Sequence, residues 1–132
     1  MNARWLLIVS ATLAWLFGLM LIFNTRAFEA PVGIEVTDKV ATIAQAQGAI
    51  LLGLGLINWM CRAVTDQRAL VAVLAGNLVV QVASLFVAGR ALLLGIFPMQ
   101  GAPAIVIHLV LGTAFAVYLW RVRRRAHVPG AA

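Results

Sequence analysis

The chain has 132 residues, 64% of them hydrophobic, and a net charge of +6 at pH 7. Most of this length lies in four apolar stretches, so a soluble domain has no room beside them and one transmembrane domain over residues 1–132 is predicted. The positive charge flanks the apolar stretches and forms no basic face with base-contacting groups. We therefore expect no binding to nucleic acid.

Each apolar stretch is long enough to cross a hydrocarbon core of roughly 30 Å as a helix. In chain order they cover residues 5–23, 40–60, 69–89 and 102–120, and none contains Asp, Glu, Lys or Arg. The predicted fold class is all-α, an integral membrane four-helix bundle in contact with the lipid bilayer.

The basic residues predict the orientation of the bundle. Seven of the ten lie beside one set of helix ends, namely Arg4, Arg62, Arg68, Arg121, Arg123, Arg124 and Arg125, whereas Arg26, Lys39 and Arg90 lie at the other. Basic loops stay in the cytoplasm, so we expect both termini there, in a bacterial inner membrane. Trp5, Trp59 and Trp120 fall on the basic side. With Arg62 and the four arginines from Arg121 to Arg125, they are predicted interface anchors.

The segments outside the spans carry weaker signals. Pro31 and Gly33 are expected to break regular structure in the first outer loop, and Thr37 or Asp38 to cap the second span. Pro103 suits the first turn of the fourth span. The apolar segment 91–100 is too short to cross the membrane. It has three interpretations: it lies in the interface, continues the third span, or docks on a partner.

Small residues recur at helical spacing in every span. In a bilayer they allow helix backbones to approach closely, because burial of apolar surface does not drive association there. The predicted packing residues are Ser10, Ala14, Gly18, Ala44, Gly48, Gly55, Gly76, Gly112 and Ala116. This pattern is typical of a tightly packed bundle. Trp15, near mid-span, is interpreted as a packing residue or as one wall of a lipid or cofactor groove.

A few polar side chains inside the spans form a candidate intramembrane site: Asn58, Asn77, Gln81, Gln47 and His108. An amide that faced lipid would leave its hydrogen-bonding groups unsatisfied at a cost of several kcal/mol. Three interpretations of Asn77 and Gln81 therefore remain. They bond to another helix (through Asn58, Gln45, Gln47 or a carbonyl), they line a polar path or ligand site, or they mediate self-association.

His108 is the only ionisable side chain within a predicted span. It is interpreted as a neutral histidine bonded to a neighbour, as a cofactor ligand, or as a proton-handling group. A small residue, Ala104, precedes it by four positions, as in pigment-binding helices, so a tetrapyrrole is one cofactor hypothesis. No second intramembrane histidine, carboxylate or metal-spaced cluster occurs in the spans, so we predict no metal site and no catalytic residue.

The stretch from Ala44 to Arg62 reads AQAQGAILLGLGLINWMCR, with a Pro- and Gly-bearing loop before it and Arg68 and Asn77 after it. It resembles small four-span bacterial membrane proteins of the DoxX-type and DUF4345-type families, in which a glycine-rich helix ends in Trp and Arg. This chain has Gln45 and Gln47 where those families often carry an arginine. The resemblance implies a four-helix bundle and no biochemical activity.

Three hypotheses about function follow. In the first, a non-enzymatic membrane protein works by association, as a homo-oligomer or as an accessory subunit of a larger membrane complex. In the second, an oligomeric channel or transporter has Asn77, Gln81 and His108 along a path between protomers. In the third, a subunit binds a tetrapyrrole through His108, although no cofactor is predicted in the first two.

Overall fold

The computed structural model describes residues 3–96 and 102–126, and the regular structure in these two stretches is entirely helical. The long helices are α1 (Ala3–Phe23), α3 (Asp38–Cys61), α4 (Gln67–Leu93) and α5 (Ala102–Ala126), and a short helix α2 (Thr25–Glu29) follows α1. All four long helices have the length and hydropathy needed to cross a membrane. The predicted all-helical class is confirmed, and the four predicted spans coincide with four helices that are long and apolar enough to cross a membrane.

The helix ends follow from local sequence. Thr37 caps α3, because its side-chain oxygen accepts a hydrogen bond from the Val40 backbone N–H. Asp66 does the same for α4 through the Ala69 N–H, which sequence analysis missed. The third span continues past residue 89 to Leu93. Gly95, at φ 67°, then ends it by a left-handed turn that favours glycine. Residues 97–101, which include the rest of the segment 91–100, lie outside the described residues.

The loop between α1 and α3 is more regular than expected. After α2 it forms a 3-10 turn, Ala30–Val32, which ends at Gly33 with φ 75°. Pro31 fits inside this turn because it stands near its start, where a free backbone N–H is not required. Regular structure therefore stops at Gly33 and not at Pro31. The loop folds back on the bundle through an edge-to-face contact between Phe17 and Phe28, with centroids 5.7 Å apart.

The long helices form two antiparallel hairpins. Helix α1 packs along α3, and α4 packs along α5, whereas contact between the two hairpins is limited. The register of the second hairpin is visible in a hydrogen bond of 3.1 Å from the Gln67 side chain to the Val122 carbonyl, which joins the start of α4 to the end of α5. Two weakly joined hairpins leave room for a polar contact and a cavity between them.

The apolar core of the bundle lies at one end. It consists of Leu6, Leu7, Leu74, Phe115 and Leu119, which come from the beginnings of α1 and α4 and the end of α5. The tryptophans at positions 5, 59 and 120 lie at this same end, since the helices alternate in direction. Close packing there joins the two hairpins. The opposite half of the bundle is packed less completely.

Candidate functional site

A cluster of three polar side chains lies next to the apolar core and bridges the two hairpins. Asn58 on α3 and Asn77 on α4 exchange amide hydrogen bonds of 2.9 Å and 2.7 Å. Asn58 also donates to the Ser10 hydroxyl on α1, and Asn77 to the Val73 carbonyl. Both N–H bonds of each amide group are therefore used. Of the interpretations left open for Asn77, the structure shows the interhelical hydrogen bond to Asn58.

Burial explains why these groups pair. Asn58 is 0% exposed and Asn77 is 2% exposed. An amide at such a position loses its water completely, and only a protein partner can replace it. The cluster lies within the protomer, so Asn77 does not face a surface that a second protomer would share. Ser10, predicted only as a packing residue, is its third member.

A second polar pair joins α4 to α5. The Nδ1 atom of His108 lies 2.7 Å from the Oε1 atom of Gln81. Gln81 is 5% exposed, whereas His108 is half-buried. A histidine bonded to a neighbour is one interpretation of the sequence, and the structure shows that this neighbour is Gln81.

A cavity of about 250 Å³ lies between the hairpins, in the half of the bundle away from the core. All four long helices line it, together with Phe28 of α2, and most of the lining side chains are apolar. The polar exceptions are Ser10, Gln47, Gln81, Ser84 and His108. The structure therefore brings three of the five predicted site residues, Gln47, Gln81 and His108, to one cavity. Ser84, which follows Gln81 by about one helical turn, also lines the cavity but was not among the predicted site residues.

The α1–α3 hairpin depends on glycine at two of the predicted packing positions. A Cβ atom added to Gly18 would lie 2.9 Å from the Gly48 carbonyl oxygen, and one added to Gly48 would lie 2.7 Å from the Gly18 carbonyl oxygen. At Gly55 the indole ring of Trp15 takes the place of a side chain, 2.5 Å from where a Cβ would stand. Trp15 is thus a packing residue. Ala14 and Ser10 are buried on the same face of α1.

The other predicted packing residues are placed differently. A Cβ at Gly112 would lie 3.3 Å from Gln81, which is close contact within the second hairpin. Ala44 is half-buried, whereas Ala116 is exposed. Gly76 faces outward, and nothing described lies within 4 Å of its Cβ position. The packing contact predicted for Gly76 is therefore not found among the described residues.

The predicted interface anchors surround one end of the bundle. Arg62 lies over the ring of Trp59 at 4.1 Å, and Arg124 lies over the ring of Trp120 at 4.0 Å. Such cation–π contacts keep the charge and the ring at the same depth. Arg121 contacts the ring of Tyr118 at 5.7 Å, and Trp5 is exposed. The side chain of Arg125 lies outside the described residues.

Titratable groups are few. Glu29, in the loop after α1, is half-buried, and this burial raises the pKa of its carboxyl group. Cys61 is a free thiol at the end of α3. Among residues 3–96 and 102–126, no three His, Cys, Asp or Glu side chains come together as metal ligands.

No protein-family model, curated protein or solved structure matches this chain.

Proposed function

We propose that this protein works by association in the membrane, as a homo-oligomer or as an accessory subunit of a larger membrane complex. The supporting observation is the outward face of α4. Ala72, Gly76, Val79 and Ala83 are all exposed there, at spacings of four, three and four residues. This spacing is that of a seam between two helices that pack side by side.

The composition of this face argues for a protein neighbour. Lipid tails are as apolar as leucine, so contact with lipid gives no reason for small residues. Close approach of two helix backbones, in contrast, requires small residues at the contact. The outward face of α3 offers a comparison, because its Gly53 has nothing within 4 Å either but stands between exposed Ile50 and Ile57. Such side chains would hold a neighbouring backbone away from α3.

The proposal includes a location and an orientation, with the protein in a bacterial inner membrane and both termini in the cytoplasm. The support is the distribution of basic residues, seven at one set of helix ends and three at the other. The antiparallel hairpins bring those seven to the end that carries the three exposed tryptophans. The resemblance to DoxX-type proteins stays a prediction and adds no activity.

Native mass spectrometry of protein extracted gently from its own membrane tests the proposal. We expect the wild-type chain in an assembly of defined mass, either several copies or a complex with other subunits. Gly76→Leu places a large side chain at this open position on α4 and should lower the assembled fraction at least tenfold. Gly53→Leu is the matched control, since it adds the same side chain to an equally open position on α3.

The protomer should tolerate both substitutions, because neither position contacts another described helix. Circular dichroism and the thermal midpoint verify this. A wild-type protein that is monomeric in gentle extracts would refute the proposal. An assembly that survives Gly76→Leu as well as it survives Gly53→Leu would refute the role of α4.

A further inference from the structure

The outward side of α5 carries a groove of about 570 Å³. Two rows of residues line it, each with the four-residue spacing of side chains that follow one another along a helix. One row runs from Leu109 to Arg121 and the other from Val110 to Tyr118. The members in the middle of the two rows are a threonine and an alanine, and because these are small, the surface of α5 dips between them.

This groove has an apolar length and a charged end. It begins at Leu109 and ends at Arg121, twelve positions later, which is about 18 Å of helix at a rise of about 1.5 Å per residue. One leaflet contributes roughly 15 Å of hydrocarbon, half of the bilayer core. Arg121 follows the exposed Trp120 at the end of the bundle where the tryptophans lie. The groove therefore extends from the headgroup level to about the middle of the membrane.

The guanidinium group of Arg121 has no anionic partner in the described parts of the chain. It contacts the ring of Tyr118, with its central carbon 5.7 Å from the ring centre. Since Tyr118 lies about one turn earlier and lines the groove, the charge is held over the end of the groove. A guanidinium group presents several N–H donors in one plane, a geometry that suits the oxygens of a phosphate group. The site thus fits a ligand with an anionic head and a hydrocarbon tail.

A second groove lies beside the first. It has a volume of about 250 Å³ and is formed by α4 and α5. Leu109 and Thr113 line both grooves, so these two side chains form the ridge between them. None of the described side chains that line the second groove is Asp, Glu, Lys or Arg. Two adjacent grooves match the two acyl chains of a phospholipid, whereas a fatty acid would fill only one.

We propose that this surface binds one anionic phospholipid, with its phosphate group at Arg121 and its two acyl chains in the two grooves. A zwitterionic lipid is a poorer match, because its ammonium group offsets the charge of its phosphate. A helix of another protein is also a poorer match, since the exposed Leu109 and Val110 would hold its backbone away. The face of α4 proposed above for association shares no residue with either groove, so the two proposals are independent.

Native mass spectrometry of delipidated protein in a mild detergent, titrated with one lipid at a time, tests the proposal. The probes are dioleoylphosphatidylglycerol, dioleoylphosphatidylcholine and the single-chain oleoyl lysophosphatidylglycerol. We expect one phosphatidylglycerol molecule per chain to bind at least fivefold more tightly than either of the other two lipids. Phosphatidylglycerol that binds no more tightly than phosphatidylcholine, or than the single-chain lipid, overturns the proposal without any variant.

The variant Arg121→Gln tests the charged end of the site. It should weaken the binding of phosphatidylglycerol about fivefold, the factor that corresponds to roughly 1 kcal/mol for one basic side chain near anionic lipid. Arg68→Gln is the matched control, because it removes an exposed arginine at the same end of the bundle that lines neither groove. Equal losses of affinity in the two variants would indicate attraction by the overall charge and would overturn the site.

The variant Thr113→Phe tests the apolar part of the site. A phenylalanine ring on the ridge covers part of both grooves, so the affinity for phosphatidylglycerol should fall at least fivefold. Val106→Phe is the control, at an exposed position of α5 that lines neither groove. Circular dichroism verifies that both variants fold. Unchanged lipid binding in Thr113→Phe overturns the proposal, and if the assembled fraction falls instead, the groove holds a partner protein.

Discussion

The amide cluster predicts that two substitutions together are less harmful than their separate effects suggest. Asn77→Leu keeps the branching of the side chain but removes both hydrogen bonds to Asn58. Interhelical hydrogen bonds in membranes contribute about 0.6 kcal/mol on average and up to about 1.7 kcal/mol. The two bonds together therefore contribute about 1–2 kcal/mol.

A second cost comes from the partner that remains. Asn58 is completely buried and would keep only its bond to Ser10. A buried polar group without partners costs about 1–3 kcal/mol. We expect Asn77→Leu to lower the free energy of unfolding by about 2–4 kcal/mol. The double variant Asn58→Leu/Asn77→Leu leaves neither amide unpaired, and should be at least as stable as either single variant.

Reversible unfolding by sodium dodecyl sulfate in mixed micelles measures these free energies, with helix content from circular dichroism as the signal. Gln47→Leu is the control, because this exposed amide on α3 has no hydrogen bond within the described residues. It should change stability by less than about 0.5 kcal/mol. If the two asparagine substitutions are additive within about 0.5 kcal/mol, the amides do not stabilise the bundle as a pair.

Two further predictions concern the α1–α3 hairpin and the loop between these two helices. Gly18→Ala should destabilise the protein by about 1–3 kcal/mol in the same assay, because the new Cβ would lie 2.9 Å from the Gly48 carbonyl oxygen. Gly53→Ala should stabilise the protein by up to about 1 kcal/mol, since nothing lies within 4 Å of the added Cβ and alanine is the better helix former. Equal effects of the two substitutions on stability would contradict the close approach of α1 and α3. Burial raises the pKa of the Glu29 carboxyl, so its contribution to stability is present below about pH 4.5 and is lost as the pH rises through the raised value. Glu29→Gln should therefore make the thermal midpoint fall less steeply above that pH. Glu35→Gln, at an exposed position, should keep the pH dependence of the wild-type midpoint. Identical pH profiles for the two variants would show that the burial of Glu29 does not affect stability.

The sequence was sufficient for the spans and for the need to pair Asn77, since both follow from the cost of polar groups in hydrocarbon. It was not sufficient to tell which helix face points inward. Gly18 and Gly76 each follow an alanine by four residues within an apolar stretch. Gly18 nevertheless contacts α3, whereas Gly76 faces outward. In a soluble helix the polar side marks the outside, but here both sides are apolar and the hydrophobic pattern carries little information.

Partners in space were equally hard to anticipate. Gln81 pairs with His108 because α4 and α5 run antiparallel in one particular register, and no local signal in either helix specifies that register. The cavity depends on the limited contact between two hairpins, which is a property of the whole bundle. The indole ring of Trp15 over Gly55 likewise depends on the rotation of α1 relative to α3.

Photocrosslinking in the native membrane tests the central claim most directly, because no detergent intervenes. A benzophenone side chain replaces Val79 on the outward face of α4 in one variant and Ile57 on the outward face of α3 in the other. The account predicts that illumination links the variant at position 79 to one protein of defined mass, a second copy or another subunit. The variant at position 57 should link mainly to lipid. Lipid adducts alone at position 79, or the same protein adduct at both positions, would contradict association through α4.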